Sequence, residues 1–203
     1  MIKCNVTVCG VIGRDASIRT NKEGKTFLVF PLRVMIPDTD GKTMPIEVDV
    51  SKDTAGKEVS KYRNGSRIEV SGTMYLKHRG DKLYFNLFIN EIRTATADAK
   101  DTVKGELVFR GKVGQHIGEK RDKKDQPYTM FSAFSTEKVE DGFEYQWVRF
   151  FCFGKEREAW LQPGVRVDAK GEISLSAYNG KLNVSCKVEE LVQYVADSSN
   201  SNQ

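Results

Sequence analysis

The residues with the most distinctive chemistry lie in one short stretch, 146–155 (QWVRFFCFGK). Its length and its aromatic and β-branched content indicate a β-strand, whose successive side chains point to opposite faces. One face is an ordinary core face: Val148, Phe150 and Cys152. The other combines large aromatics with one basic side chain: Trp147, Arg149, Phe151 and Phe153. Rings stack on bases and arginine pairs with phosphate, so this face suits a polynucleotide. The alternative is a strand buried on both faces, with Trp147 and Phe153 in the core.

The rest of the sequence lacks the patterns of common catalytic sites. It has no nucleophile elbow, P-loop, His/Cys metal spacing or convincing pair of carboxylates. The two histidines, His78 and His116, fall in different halves of the chain, and we expect them to be exposed. The scattered cysteines are predicted to be buried thiols rather than disulfides or zinc ligands: Cys4, Cys9, Cys152 and Cys186. We therefore expect no enzyme, metal site, cofactor or small-molecule substrate.

Composition indicates a globular protein. The chain has 203 residues, of which 39% are hydrophobic and 30% charged, and its formal net charge is +4. No apolar run approaches the roughly 18 residues that a membrane span needs, so no membrane association is expected. The first residues enter a strand pattern directly rather than a signal peptide, so we expect a cytoplasmic protein.

The two halves of the chain repeat the same order of features. The motif VCGVIG returns as FRGKVG, which pairs Gly10 with Gly111 at a shift of 101 residues. Later, NGSRI returns as PGVRV, which pairs Gly65 with Gly164 at a shift of 99 residues. Chance matches would not keep their order and spacing over a whole half, so we infer two homologous units.

Each unit is predicted to contain five strands and one short helix. In the first unit the strands are expected at 6–12 continuing into 18–20, 26–34, 46–50, 67–76 and 83–92. The helices are predicted at 55–63 and, in the second unit, at 155–161. A helix between the third and fourth of five strands is the arrangement of the OB-fold, a five-stranded Greek-key barrel. The sequence thus predicts an all-β protein of two tandem OB-folds.

The predicted domain boundaries follow from this repeat. The first OB domain is expected at 1–93 and the second at 105–195, joined by a polar linker at 94–104. The last residues, 196–203, are small or polar apart from one aspartate, so we expect a disordered tail.

Motifs in both units resemble those of a known family. The first unit has VCGVIGRD at 8–15, followed by IRT and FPL, and the second has WVRFFCFGK at 147–155 and LQPGVRV at 161–167. Together these motifs closely resemble the bacterial single-stranded DNA-binding proteins over about nine-tenths of the chain. The two-OB arrangement resembles the fused form of that family, whose chains work as dimers carrying four OB domains. The resemblance therefore implies a homodimer.

The resemblance also implies which side chains contact DNA. The family stacks bases on aromatics of the third strand and of the following hairpin, which correspond here to Trp147, Phe153 and Tyr178. A fourth family aromatic has no aligned counterpart, and Phe143 or Tyr145 is the candidate to replace it. The residues of the second unit that we expect to bind single-stranded DNA are Lys120, Trp147, Arg149, Phe151, Phe153, Lys155 and Tyr178.

The first unit departs from this pattern. Its third strand is predicted to turn outward Pro45, Glu47, Asp49 and Ser51, which we align with Trp147, Arg149, Phe151 and Phe153. Two carboxylates on such a face would repel phosphates. The hairpin position that matches Tyr178 holds Arg79. The unit keeps basic side chains that could form an electrostatic track: Arg14, Arg19, Lys22, Lys25, Lys77 and Arg79. The alternative is that these residues are an ordinary solvated surface.

The other aromatic residues are predicted to be core rather than contact residues, because aromatic side chains dominate the cores of small domains. In the first unit these are Phe27, Phe30, Tyr75 and Phe85. In the second unit they are Tyr128, Phe131, Phe134 and Trp160.

Two classes of function remain open. The first is sequence-independent binding of single-stranded DNA, which coats and protects the strand during replication, recombination or repair. The second is an OB-fold assembly module of a primosome-like complex that acts mainly through protein contacts. An RNA binder is a variant of the first class, because stacking and phosphate contacts do not read the 2′-hydroxyl. The family's acidic tip, which recruits partner proteins, has no counterpart in 197–203.

Overall fold

The computed structural model describes residues 2–39, 41–54, 58–80, 82–139, 142–154 and 156–195. Eleven strands account for most of these residues. The strands of the first half are β1 Ile2–Ile12, β2 Ser17–Thr20, β3 Thr26–Pro37, β4 Thr43–Asp53, β5 Arg67–Arg79 and β6 Lys82–Thr94. Those of the second half are β7 Thr102–Arg121, β8 Pro127–Val139, β9 Gly142–Phe153, β10 Arg166–Tyr178 and β11 Lys181–Gln193.

Each half closes into a ring of five strands. In the first, β1 pairs with β3 and β5, β3 with β4, β4 with β6, and β6 with β5. In the second, β7 pairs with β8 and β10, β8 with β9, β9 with β11, and β11 with β10. The β4–β6 and β9–β11 pairs are parallel and the others antiparallel. The predicted fold, all-β with two tandem OB-folds, is confirmed.

Equivalent turns show how closely the halves repeat each other. In the hairpin between β2 and β3, the Asn21 side-chain oxygen accepts hydrogen bonds from the N–H groups of Glu23 and Lys25. The hairpin between β7 and β8 has Asp122 at the equivalent position, where its carboxylate accepts from the N–H groups of Lys124 and Gln126. A side chain that mimics a backbone turn therefore fixes both hairpins.

The two halves are joined through their first strands. Residues 2–9 of β1 pair antiparallel with residues 102–109 of β7, so a continuous ladder crosses between the two rings. Asp101, in the connecting segment, accepts a hydrogen bond from the N–H of Met35 at 2.7 Å and forms an ion pair with Arg67. The C-terminal part of the predicted linker therefore belongs to a strand.

The predicted helices are the main local difference. Of the helix predicted at 55–63, residues 55–57 lie outside the described residues, and 58–63 contains a single 3₁₀ turn, Val59–Lys61; the described part of 155–161 contains turns and no helix. Segments this short make too few hydrogen bonds to offset the cost of helix nucleation. Packing holds them instead: Tyr62 stacks on Phe30 with ring centroids 5.7 Å apart, and Arg157 donates a hydrogen bond to the Leu161 carbonyl.

The interior of each ring is apolar. In the second ring, Phe150 contacts Phe109 and Phe131 with centroids 4.9 and 5.1 Å apart. The predicted buried thiols are confirmed for Cys4, Cys9 and Cys186, whereas Cys152 is only partly buried. Burial raises the pKa of both Cys4 and Cys186 to about 12. Across the described ranges, no helix is long and apolar enough to cross a membrane, and no cluster of potential metal ligands is found.

Candidate nucleic-acid interface

Strand β9 separates a core face from an exposed aromatic face. Val148 and Phe150 point inward and are buried. Trp147 and Phe153 point outward with 50% and 47% of their surface exposed. The alternative of a strand buried on both faces is therefore wrong.

Strand β8 extends this surface with rings of its own. Phe134 packs against Trp147 with centroids 4.9 Å apart and meets the edge of Tyr145 at 5.4 Å. Tyr128 lies 5.2 Å from Phe153, which stacks on Phe151 at 6.2 Å. We call this surface the aromatic face; its members are Tyr128, Phe134, Phe143, Tyr145, Trp147, Phe151 and Phe153.

Two of the core predictions in β8 are wrong. Phe131 is buried, as expected, but Tyr128 and Phe134 are partly exposed on the aromatic face. A strand alternates sides every residue, so positions separated by three residues cannot share a face. Because Tyr128 and Phe134 each lie three positions from Phe131, the sequence could have predicted that both rings lie on the outer face of the strand.

The two candidates for the fourth aromatic both lie on the exposed side. Tyr145 is 50% exposed and joins the aromatic face through Phe134, whereas Phe143, 60% exposed, lies near the start of β9. Of the two, Tyr145 is therefore the one whose ring contacts another ring of the aromatic face among the described residues.

A glycine in β7 makes room for the central indole. A Cβ atom on Gly114 would lie 3.0 Å from both the Trp147 ring and the Ser132 carbonyl oxygen. Both distances are tighter than ordinary van der Waals contact. The Trp147 indole is thus supported by Phe134 and by the backbone at Gly114, and its other side faces solvent.

Basic side chains border the aromatic face. Arg149 is exposed between Ser132 of β8 and Ser185 of β11, and Lys120 lies opposite Tyr128. Lys187, which the sequence interpretation missed, lies opposite Phe151. None of these three cations forms an ion pair with another residue that the structure describes, so their charges are available to an anionic ligand. The predicted site residue Lys155 lies outside the described residues.

Tyr178 lies apart from the other predicted stacking residues. It is 57% exposed at the end of β10, opposite Lys181. The preceding residue, Ala177, forms a parallel bridge with Asp38 of the first unit. Among the ring contacts of the described residues, none connects Tyr178 to β9. The bridge therefore places this end of the β10–β11 hairpin beside the first unit.

The residues of β4 that face outward are the predicted ones, but they match the residues of β9 in a different register from the predicted one. Glu47 lies opposite Arg33 of β3, and Trp147 lies opposite Phe134 of β8. Since Arg33 and Phe134 are themselves equivalent at the shift of 101, the position of Trp147 corresponds to Glu47 and not to Pro45. The same register matches Asp49 with Arg149, Ser51 with Phe151, and Asp53 with Phe153. The correction leaves a carboxylate at three of these four positions.

The basic residues of the first unit fall into two groups, those with and those without an ion-pair partner among the described residues. Arg14, Arg19 and Arg79 are exposed and form no ion pair with another described residue. Lys25 is held by Asp53 at 2.7 Å, and Lys77 lies 4.0 Å from Glu137 of the second unit. The structure therefore does not bring the expected track together as one row of unpaired cations.

The loop that carries Arg14 is anchored by its neighbour. The Asp15 carboxylate accepts a hydrogen bond from the backbone N–H of Asn64 at 2.7 Å and one from Arg63 at 3.1 Å. These bonds, the Asn64 one first, hold the pKa of Asp15 below its ordinary value. The loop is fixed against the segment before β5, so the direction of Arg14 is restricted.

The aromatics predicted as core in the first unit also divide. Phe30 and Phe85 are buried, as expected. Phe27 and Tyr75 are only partly buried, and in the second unit Trp160 is likewise only partly buried against the core. Each of the three is thus at least partly accessible at the surface.

Comparisons with known proteins give a likeness of fold. No protein-family model matches the chain, and no curated protein matches it. The chain is similar to the wild-type single-stranded DNA binding protein from Thermus aquaticus at 12% identity, covering 100% of this chain and 97% of that one, with a TM-score of 0.47. The Plasmodium falciparum SSB complex with ssDNA matches at 18% identity over 45% of this chain and 95% of that one, with a TM-score of 0.35. The small single-stranded DNA-binding protein from Streptomyces coelicolor matches at 11% identity over 45% and 94%, with a TM-score of 0.36.

Proposed function

We propose that this protein binds single-stranded DNA without sequence preference and so coats and protects it during replication, recombination or repair. The observation that carries the proposal is the aromatic face, where half-exposed rings surround an arginine that has no described ion partner. Every base offers a π-face and every nucleotide a phosphate, so such a face binds any sequence. A duplex hides its bases in the stack and is a poorer ligand for the same surface.

The proposed contacts divide between bases and phosphates. Trp147 and Phe153 stack bases on β9, with Phe151 between them, and Tyr178 offers a further ring on the hairpin of β10 and β11. Arg149 and Lys120 contact phosphates, as does Lys155. In the first unit the proposed phosphate contacts are Arg14, Arg19, Lys25, Lys77 and Arg79, of which Lys25 and Lys77 must first leave their carboxylate partners.

The proposed assembly is a homodimer of chains that each carry an OB domain at 1–93 and another at 105–195. This rests on the resemblance to the fused two-OB form of the single-stranded DNA-binding family. Light scattering at micromolar concentration is expected to give twice the chain mass. A monomer mass would contradict the dimer without affecting the proposed DNA contacts.

A second candidate function is an assembly module that acts through protein contacts. It is favoured by the outward face of β4, where Glu47 and Asp49 are exposed opposite Arg33 and Pro31 of β3. A carboxylate pair repels phosphate but suits a basic protein partner. On this reading the first unit binds protein whether or not the second binds DNA.

The test is a titration of the purified chain with oligo-dT, duplex DNA and oligo-U at low and high salt. We expect tight binding of oligo-dT and weak binding of duplex. Each neutralised phosphate adds about −0.7 to the log–log salt slope. Equal affinity for single strand and duplex would contradict the stacking surface and leave only a basic one. Equal affinity for oligo-dT and oligo-U would extend the proposal to RNA.

A further inference from the structure

The first unit exposes an aromatic ring that the sequence analysis did not single out. Phe88 of β6 has 51% of its surface exposed and lies directly opposite Ser51 of β4. In the register established above, the corresponding pair in the second unit is Lys187 of β11 opposite Phe151 of β9. At this position of the surface the first unit therefore carries its aromatic ring on β6, whereas the second unit carries it on β9, the equivalent of the neighbouring strand β4.

Two grooves meet at this ring. The larger, with a volume of about 1170 Å³, passes Tyr75 and Lys104, and the smaller, of about 460 Å³, passes Arg14 and Arg19. Phe88 lines both grooves. Tyr75 meets it edge-on at 6.0 Å with the ring planes 77° apart, a contact that supports the phenyl ring from one side. A planar ligand can thus reach the ring from either groove.

The charges around Phe88 favour an anionic ligand. Arg14, Arg19 and Lys104 are exposed and pair with no other residue in the described part of the chain. Three carboxylates also line the grooves: Asp53 is held by Lys25 at 2.7 Å, Asp15 is held by Arg63 at 3.1 Å, and Asp49 is the one that opposes the arginines. Cations therefore flank the ring on both sides.

We propose that Phe88 stacks one base of single-stranded DNA on the first unit, with Arg14 and Arg19 contacting phosphates on one side of that base and Lys104 on the other. The inference rests on the proposed function and extends base stacking to the unit whose β4 face is acidic. A second copy of this chain is the competing occupant. The unpaired cations of both grooves favour a polyanion over that copy, and uncharged polar side chains of the larger groove can form hydrogen bonds to a polynucleotide backbone: Asn5, Thr7, Ser71, Thr73 and Asn90.

Photo-crosslinking locates the contact in the unaltered protein. Oligo-dT that contains 5-bromo-deoxyuridine is irradiated with the full chain, and the crosslinked peptides are mapped by mass spectrometry. We expect one crosslink at Phe88 and others on the aromatic face. Crosslinks on the aromatic face without any at Phe88 would overturn the inference and leave the proposed function standing.

Affinity measurements then separate the two proposals. Phe88→Ala is expected to weaken binding of a long oligo-dT by about 5-fold or more. The matched control is Tyr84→Ala, which removes a 39% exposed ring from the same strand outside both grooves and is expected to leave affinity unchanged. Trp147→Ala is measured in parallel. If it weakens binding while Phe88→Ala does not, the inference alone fails; if neither weakens binding, the proposed function fails as well.

An exchange variant and a mass measurement complete the test. Phe88→Ser alone is expected to bind weakly, and adding Ser51→Phe, which returns the ring to the strand used by the second unit, is expected to restore most of the affinity. Failure of the exchange to restore binding in a folded protein would contradict a stacking role. If light scattering shows that Phe88→Ala halves the mass of a dimer while oligo-dT affinity is unchanged, the patch is an interface between copies and the inference is wrong.

Discussion

Replacing Trp147 with alanine tests the central contact of the proposed interface. The indole packs on Phe134 at 4.9 Å and on the backbone at Gly114, so only one of its sides is open to a base. Loss of one stacked base costs about 1–3 kcal/mol, which lowers affinity roughly 5- to 150-fold. Because the substitution removes no charge, the salt slope is expected to stay unchanged.

The same substitution has a predictable effect on folding. A fully buried tryptophan replaced by alanine costs about 3–5 kcal/mol, and since half of this side chain is exposed we expect a loss of roughly 2 kcal/mol. Domains are typically stable by about 5–15 kcal/mol, so the variant should remain folded, with a lower melting temperature. A thermal melt before each titration checks this expectation.

The assay is fluorescence anisotropy of a dye-labelled oligo-dT, since the variant lacks the indole that would report binding. Trp147→Phe, which keeps a stacking ring, should retain most of the affinity. Trp160→Phe, at a tryptophan that packs against the core and has no ring contact with the aromatic face among the described residues, should retain all of it. A folded Trp147→Ala protein that binds oligo-dT at full strength would refute the stacking surface and the function proposed from it.

Three further predictions test the surroundings of the interface. Gly114→Ala should displace the Trp147 indole and weaken oligo-dT binding a few-fold. The control is Gly118→Ala on the same strand, whose Cβ would have ordinary contacts at 3.8 and 3.9 Å and which should leave binding unchanged. Anisotropy titrations that give equal losses for the two variants would contradict the role of Gly114 in supporting the indole. Glu47→Lys should tighten binding and make the log–log salt slope steeper by about 0.7, because it replaces a repulsive charge with a phosphate partner; an unchanged slope would show that DNA does not reach β4. Burial raises the pKa of Cys4 and Cys186 to about 12, so both should stay protonated and resist a thiolate-specific reagent at pH 8 until the protein is denatured; rapid modification of either in the native state would contradict their burial.

Only the structure showed that the face shared by Trp147 and Phe153 is exposed. The sequence by itself determined the duplication, the all-β OB architecture and the fact that these two rings share one face of their strand. These follow from local properties of the chain. Turn residues recur at fixed spacing, and side chains alternate along a strand wherever its backbone is extended. The same parity would also have placed Phe134 outside, and Phe88 likewise, because its neighbour Leu87 is a core residue.

Only the tertiary structure decided which of these rings form one surface and which charges remain available. The match between Glu47 and Trp147 depends on how β4 and β9 register with their partner strands, which long-range hydrogen bonds set and local sequence does not. The contact between Gly114 and the indole joins separate strands, and so does the ion pair that occupies Lys25. Contacts between residues distant in sequence exist only once the strands have paired, because the pairing brings those side chains within reach of each other.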